Sequence, residues 1–180
     1  AGASILEEKN YAALTVLDAI MSGYSYPGGW LHNELRGEGL VYFVHALQMT
    51  GPAPGYFVIL AQTQPEKIDE VVARIDRAVA RAKAGQIGED EFRTAKQMVI
   101  ALHAQENTTI GQQAEQAALD DLYGLGYDYD KSFDARISAV TLAEVVRAAQ
   151  QYLTNRVLVT TSPNAKPERS DVAPGASQSP

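Results

Sequence analysis

The sequence predicts an α+β fold, a mostly antiparallel sheet with several helices packed on one face. Three observations predict it. Two β-branched and aromatic runs, VYFVHALQM (41–49) and YFVILAQT (56–63), flank GPAPG (51–55), where Pro and Gly cannot continue a strand, so the pair reads as a hairpin. From Ile68 the apolar period lengthens from that of a strand to that of a helix, and a run of helices follows. A last β-branched run, RVLVTT (156–161), adds a third strand.

Each element has its own signals. Residues 7–22 carry Ala12, Leu14, Leu17, Ile20 and Met21 at helical spacing, and Gly23 is the stop. YSYPGG (24–29) is a turn, and WLHNELR (30–36) forms a short helix. The second hairpin run is nearly all apolar, which predicts a strand covered on both faces. Thr63-Gln-Pro-Glu66 fits a capping box with Pro inside the first turn. Ile68, Val71, Val72, Ile75, Ala78 and Val79 then recur at i, i+3, i+4, i+7, while Asp69, Arg74, Asp76, Arg77 and Arg81 read as a solvated face. Gly85 ends this helix. The next, 89–106, has Glu89, Asp90 and Glu91 where the helix dipole favours acids. Helices over 109–123, 130–139 and 141–153 follow, the last opened by a capping box, Thr141-Leu-Ala-Glu144. Residues 1–161 thus read as a single domain. The Pro-, Ser- and Ala-rich tail, 162–180, has little to bury and reads as disordered.

Composition excludes several functions. The chain has 180 residues, 46% of them apolar, enough for one core, and a net charge of −7. An acidic chain without a basic block repels phosphate backbones, which argues against nucleic acid as a partner. No apolar run is long enough for a membrane span. Cysteine is absent, which removes disulfides, thiol nucleophiles and thiolate metal sites together.

The stretch GGWLHNELRGEGLVY (28–42) holds the nearest approach to a metal motif. His32-Asn-Glu34 lacks a second His one turn away, so neither HExxH nor HxxEH is present, and His45 and His103 lie in other elements. No phosphate-cradling glycine pattern and no GxSxG occurs. Asp120 and Asp121 are neighbours on a helix, point to different faces, and read as a solvated helix end. No catalytic or metal-binding residue is therefore expected in this chain. One pair remains. Arg36 ends the short helix and Tyr42 begins a strand, with Gly37 and Gly39 between. A guanidinium fork and a phenol hydroxyl suit a peptide carbonyl or a carboxylate. The plainer alternative pairs Arg36 with a local Glu and buries Tyr42 in the core.

Taken in order, ALTVLDAIMSG, GGWLHNELRGEGLVYFVHA, GYFVILAQTQPEKIDEVVARI, GEDEFRTAKQMVIALHAQENTT and ISAVTLAEVVRAAQQYL resemble the pitrilysin/insulinase family of zinc metallopeptidases, which includes the mitochondrial processing peptidase. The resemblance runs from about residue 10 to 161. It implies a processing-peptidase-like domain whose first strand is missing or truncated at AGASIL. Such enzymes have two homologous halves, of which the first carries HxxEH. This sequence resembles the second, which binds no metal. The resemblance implies that Arg36 and Tyr42 are substrate-binding residues, although the family pattern has one more residue between them. It implies no cofactor on this chain, with zinc expected through another domain or subunit, and a zinc-binding peptidase domain and a peptide as partners; a dimer is compatible. The chain alone is then inactive, the substrate-positioning part of a zinc endopeptidase. The alternative within the same family is a proteolytically inactive structural or partner subunit. The tail and the lack of Cys are compatible with an exported bacterial protein, periplasmic rather than cytoplasmic.

Overall fold

The computed structural model describes residues 2–162. Its centre is helix α1 (Glu8–Ser22), every residue of which from Ala12 to Ser22 is buried. Apolar or small side chains lie on all sides of α1, so it is a core helix enclosed by neighbours instead of one with a single apolar face. Leu14, Leu17 and Met21 are completely enclosed, each contributing roughly 1.5–3 kcal/mol of burial. The helix stops at Gly23, whose φ of 84° belongs to the left-handed region and whose N–H caps Ala19 O.

The hairpin follows the prediction: β1 (Phe43–Met49) and β2 (Tyr56–Gln62) pair antiparallel, with Ala46 opposite Ile59. Val44 and Ala46 of β1 are fully buried on the face towards α1, and Ser22 Oγ reaches Ala46 O at 3.1 Å. The helices form the layer on that side. The opposite face stays uncovered: Phe43, Met49, Tyr56 and Leu60 are 44–53% exposed. The expectation that β2 is covered on both faces is therefore corrected. Its apolar run reports hydrophobicity, whereas covering needs a second layer, and the described residues provide only one.

Helices α4 (Glu89–Glu106), α6 (Phe133–Ala139) and α7 (Leu142–Tyr152) pack against α1, while α3 (Ile68–Lys83) packs on α7 and α5 (Ile110–Leu122) on the Tyr129–Ser132 turn. The Thr141 capping box forms as expected, and a second one forms at Thr109 and Gln112. The box expected at Thr63 does not. Thr63 Oγ1 instead donates to Leu40 O at 2.6 Å, and a 3-10 turn, Pro65–Lys67, leads into α3. Asn10 Nδ2 donates to the Tyr152 hydroxyl at 2.9 Å, tying the start of α1 to the end of α7.

A further correction concerns the last expected strand. Residues 156–161 form no strand; Val157 and Val159 are 87% and 80% exposed, so β propensity found no ladder to join. The sheet accordingly has two strands among the described residues. The N-terminal segment forms no strand either, but it is held: Gly2 N–H donates to Gly55 O and Ile5 N–H to Gly51 O, at 2.9 and 3.0 Å. Asp120 is also corrected. It is completely buried instead of sitting at a solvated helix end, and only Asp121 is exposed. The tail reading falls, beyond Ser162, outside the described residues. No helix among them is long and apolar enough to cross a membrane.

Candidate functional site

The stretch 28–42 is built as a rigid platform. Gly29 turns the chain tightly against α1: its φ is 69°, and a Cβ there would come within 2.6 Å of Ile20 O. Helix α2 (Gly29–Leu31) and a π-helical turn (His32–Arg36) follow directly. Trp30 is buried, donates to Glu91 Oε1 at 3.0 Å, and carries the Arg81 guanidinium 3.8 Å over its ring. Leu31 and Leu35, four residues apart, both point into the core. The wide turn closes with Gly37 N–H donating to His32 O at 2.9 Å.

Arg36 is exposed at the end of that turn, beside the buried Leu35. Tyr42, just before β1, is 79% exposed while its neighbour Val41 is buried. The Tyr42 N–H donates to Gln62 O at 2.8 Å, so its backbone already belongs to the hairpin. The loop between them is clamped to the turn that leads into α3, with Lys67 Nζ donating to Gly39 O at 3.1 Å. A depression of about 370 Å³ runs beside Tyr42, between Gly39–Val41 and Gln62–Lys67.

The alternative that pairs Arg36 with a local Glu does not describe the structure. Glu38 pairs with Arg74 at 2.6 Å, and Glu34 faces Arg81 at 3.7 Å. Arg74 also donates to Glu34 O at 3.3 Å and pairs with Glu70 at 2.9 Å. Both neighbouring acids are thus engaged by α3, and the Arg36 side chain makes no hydrogen bond or ion pair among the described residues. Arg74 and Arg81 were expected on a solvated face, yet they bolt the platform down. The signal was present: Lys67, Arg74 and Arg81 recur at seven-residue intervals, which places them on one stripe.

His32 is buried, 9% exposed, with Nε2 lacking a partner among the described residues. Its ring lies 6.0 Å from His45, edge to face. Burial lowers the pKa of both, with His45 and Arg36 adding to the effect at His32. Two neutral imidazoles without a third ligand do not make a zinc site. Among the described residues no group of three His, Asp or Glu is placed to hold a metal. Zinc therefore finds no fitting ligand set among the described residues.

The model of the peptidase M16 inactive domain matches residues 2–99, more than half of the chain. No curated protein matches. Among solved structures, a peptidase M16 inactive domain from Pseudomonas fluorescens is similar at 23% identity and a TM-score of 0.67, over 79% of this chain and 34% of that one. The inactive peptidase domain of a candidate zinc protease from Bordetella parapertussis is similar at 19% identity and a TM-score of 0.68, over 86% of this chain and 87% of that one. Pitrilysin is similar at 25% identity and a TM-score of 0.56, over 81% of this chain and 15% of that one. The chain spans about a third of the length of the first of these relatives.

Proposed function

The chain belongs to the family of peptidase M16 inactive domains, and from that premise we propose that it is the non-catalytic, substrate-positioning half of a zinc endopeptidase. Arg36 and Tyr42 hold the backbone of an extended peptide, and zinc is supplied by another domain or subunit. The observation that carries this reading is the freedom of Arg36. Its two acidic neighbours are taken by Arg74 and Arg81, so a guanidinium on a rigid platform faces solvent with its donors uncommitted. Tyr42 projects from a strand end fixed by main-chain pairing. Donors aimed at peptide carbonyls set the register of an extended chain. If one is the scissile carbonyl, they also stabilise its developing negative charge, the more so because the platform needs no rearrangement. Zinc held by the other half supplies a polarised carbonyl and an activated water.

The test uses the complete peptidase, assembled with its zinc-bearing half. Arg36→Ala should lower kcat/KM by about two orders of magnitude, the usual cost of losing a preorganised donor to a developing oxyanion. Tyr42→Phe should cost less, on the order of tenfold, since it loses one neutral hydroxyl. Both side chains are exposed, so the melting temperature should not move. Unchanged kinetics would reject substrate positioning and leave a structural subunit of the same family as the reading.

A further inference from the structure

A second concavity, of about 290 Å³, opens between α1, α4, α5 and the Tyr129–Ser132 turn, and none of its lining residues belongs to the Arg36–Tyr42 platform. Its size lies near the lower end of the range of small-ligand sites, roughly 300–1,000 Å³. Asp120 lines it and is completely buried. Asp120 Oδ1 accepts from Gln116 Nε2 at 2.9 Å, while Oδ2 has no partner among the described residues. The Tyr129 hydroxyl, in the same lining, is also buried and unpartnered. Buried polar atoms are nearly always hydrogen-bonded, so two orphans in one cavity mark a place for a ligand.

The surrounding charges decide its sign. Glu106 and Glu115 also line the cavity, and the basic side chains nearby already have partners. His103 faces Asp130 at 3.0 Å and stacks on Phe133 at 3.7 Å. Arg136 lies 3.7 Å over the Tyr129 ring and donates to Tyr129 O at 2.7 Å. Asp120 thus forms no ion pair among the described residues, although the Arg136 charge reaches it, in a pocket where acids outnumber bases and Tyr11 and Tyr24 stand in the wall. Carboxylate, hydroxyl and aromatic faces together suit a soft organic cation. A divalent metal is disfavoured, since no three ligands are placed for one among the described residues.

We propose that this cavity binds the ammonium or guanidinium end of an organic cation, with Asp120 Oδ2 and the Tyr129 hydroxyl accepting its N–H groups and the aromatic walls facing its charge. The bearer is either a free amine or guanidine, or a Lys or Arg side chain of a peptide. The proposal stands independently of the peptide-positioning role of Arg36 and Tyr42.

The test titrates the full chain by calorimetry near pH 8, because burial raises the Asp120 pKa and a higher pH favours its charged form. Butylguanidine is the probe and butylurea its neutral isostere. Butylguanidine should bind at least tenfold more tightly. Asp120→Asn should weaken it at least tenfold and Tyr129→Phe severalfold, while Asp121→Asn, at the exposed neighbour, leaves it unchanged. Circular dichroism verifies folding, and Tyr129→Phe serves if Asp120→Asn does not fold. A capped pentapeptide with one central Arg separates the sources: binding tighter than butylguanidine identifies a peptide side chain, and weaker binding a free cation. Equal affinity for butylurea, affinity unchanged in both variants, or a butylguanidine-soaked crystal with only water in the cavity overturns the proposal.

Discussion

Replacing Asp18 by Asn should remove a large part of the pH dependence of folding. Asp18 lies inside α1, 4% exposed, and burial pushes its pKa from 3.8 up to about 7. Its partner is Ser22, whose Oγ lies 2.7 Å from Asp18 Oδ1 and 3.1 Å from Ala46 O. A serine hydroxyl has one proton and cannot satisfy two acceptors fully. A protonated Asp18 resolves the conflict by donating to Ser22 Oγ, which then donates to Ala46 O. The folded pKa is raised, so the stabilisation is complete below pH 3.8 and is lost as pH rises through about 7. Between about pH 5 and pH 8.5 the loss covers roughly two pKa units, or about 3 kcal/mol. The Asn amide reproduces the protonated acid, with N–H towards Ser22, and cannot ionise. Urea unfolding followed by circular dichroism at both pH values gives the test. Asp18→Asn should exceed the original protein by about 3 kcal/mol more at pH 8.5 than at pH 5. Lowered carboxylates such as Glu7, Glu91 and Glu144 titrate in both proteins and cancel in this difference. Parallel pH profiles for the two proteins would refute the reasoning.

Other perturbations have equally direct readouts. Thr141→Ala removes the acceptor for Glu144 N–H at the start of α7 and should cost about 1 kcal/mol in a denaturant titration. The Thr141 N–H and hydroxyl hold the Glu144 pKa below 4.5, so the cap's contribution is present above the ordinary carboxylate pKa and is lost as pH falls through the lowered value; the variant should be the less acid-sensitive protein. Gly29→Ala places a Cβ 2.6 Å from Ile20 O at a φ of 69° and should abolish folding or cost more than about 3 kcal/mol. Gly39→Ala has a similar φ of 68° but open space around it, so thermal melts should show only the left-handed strain, about 1–2 kcal/mol.

Local signals were legible because local physics decides them. GPAPG cannot sustain a ladder, so the hairpin and its two strands were readable, and the acidic start at 89–91 opens a helix that spans Glu89–Glu106 as expected. Thr141 with Glu144 caps α7 within one turn of chain. Thr63 carried the same local signal, yet its hydroxyl went to Leu40, 23 residues away. A cap competes with any acceptor that folding brings near, and sequence distance does not reveal that acceptor. Asp120 failed for a related reason. It was assigned to a solvated helix end, as polar residues usually are, and its burial depends on elements that close over it from elsewhere in the chain.

The candidate site shows where the boundary of legibility falls. Arg36 and Tyr42 were identifiable as residue types suited to a peptide, but suitability does not establish availability. With Glu34 two residues before Arg36 and Glu38 two after, the sequence alone favours an internal ion pair that would satisfy the guanidinium locally. Arg74 and Arg81 change that outcome from α3, more than thirty residues away, by taking both acids. They do so while fixing the backbone beneath Arg36, through Glu34 O and the Trp30 ring. The same two side chains therefore leave Arg36 uncommitted and immobilise its support. A bidentate donor whose backbone is already ordered loses less entropy on meeting a ligand. The seven-residue recurrence of Lys67, Arg74 and Arg81 is consequently as informative about the site as the motif that contains Arg36, and it lies on the helix that sequence patterning treats as scaffold.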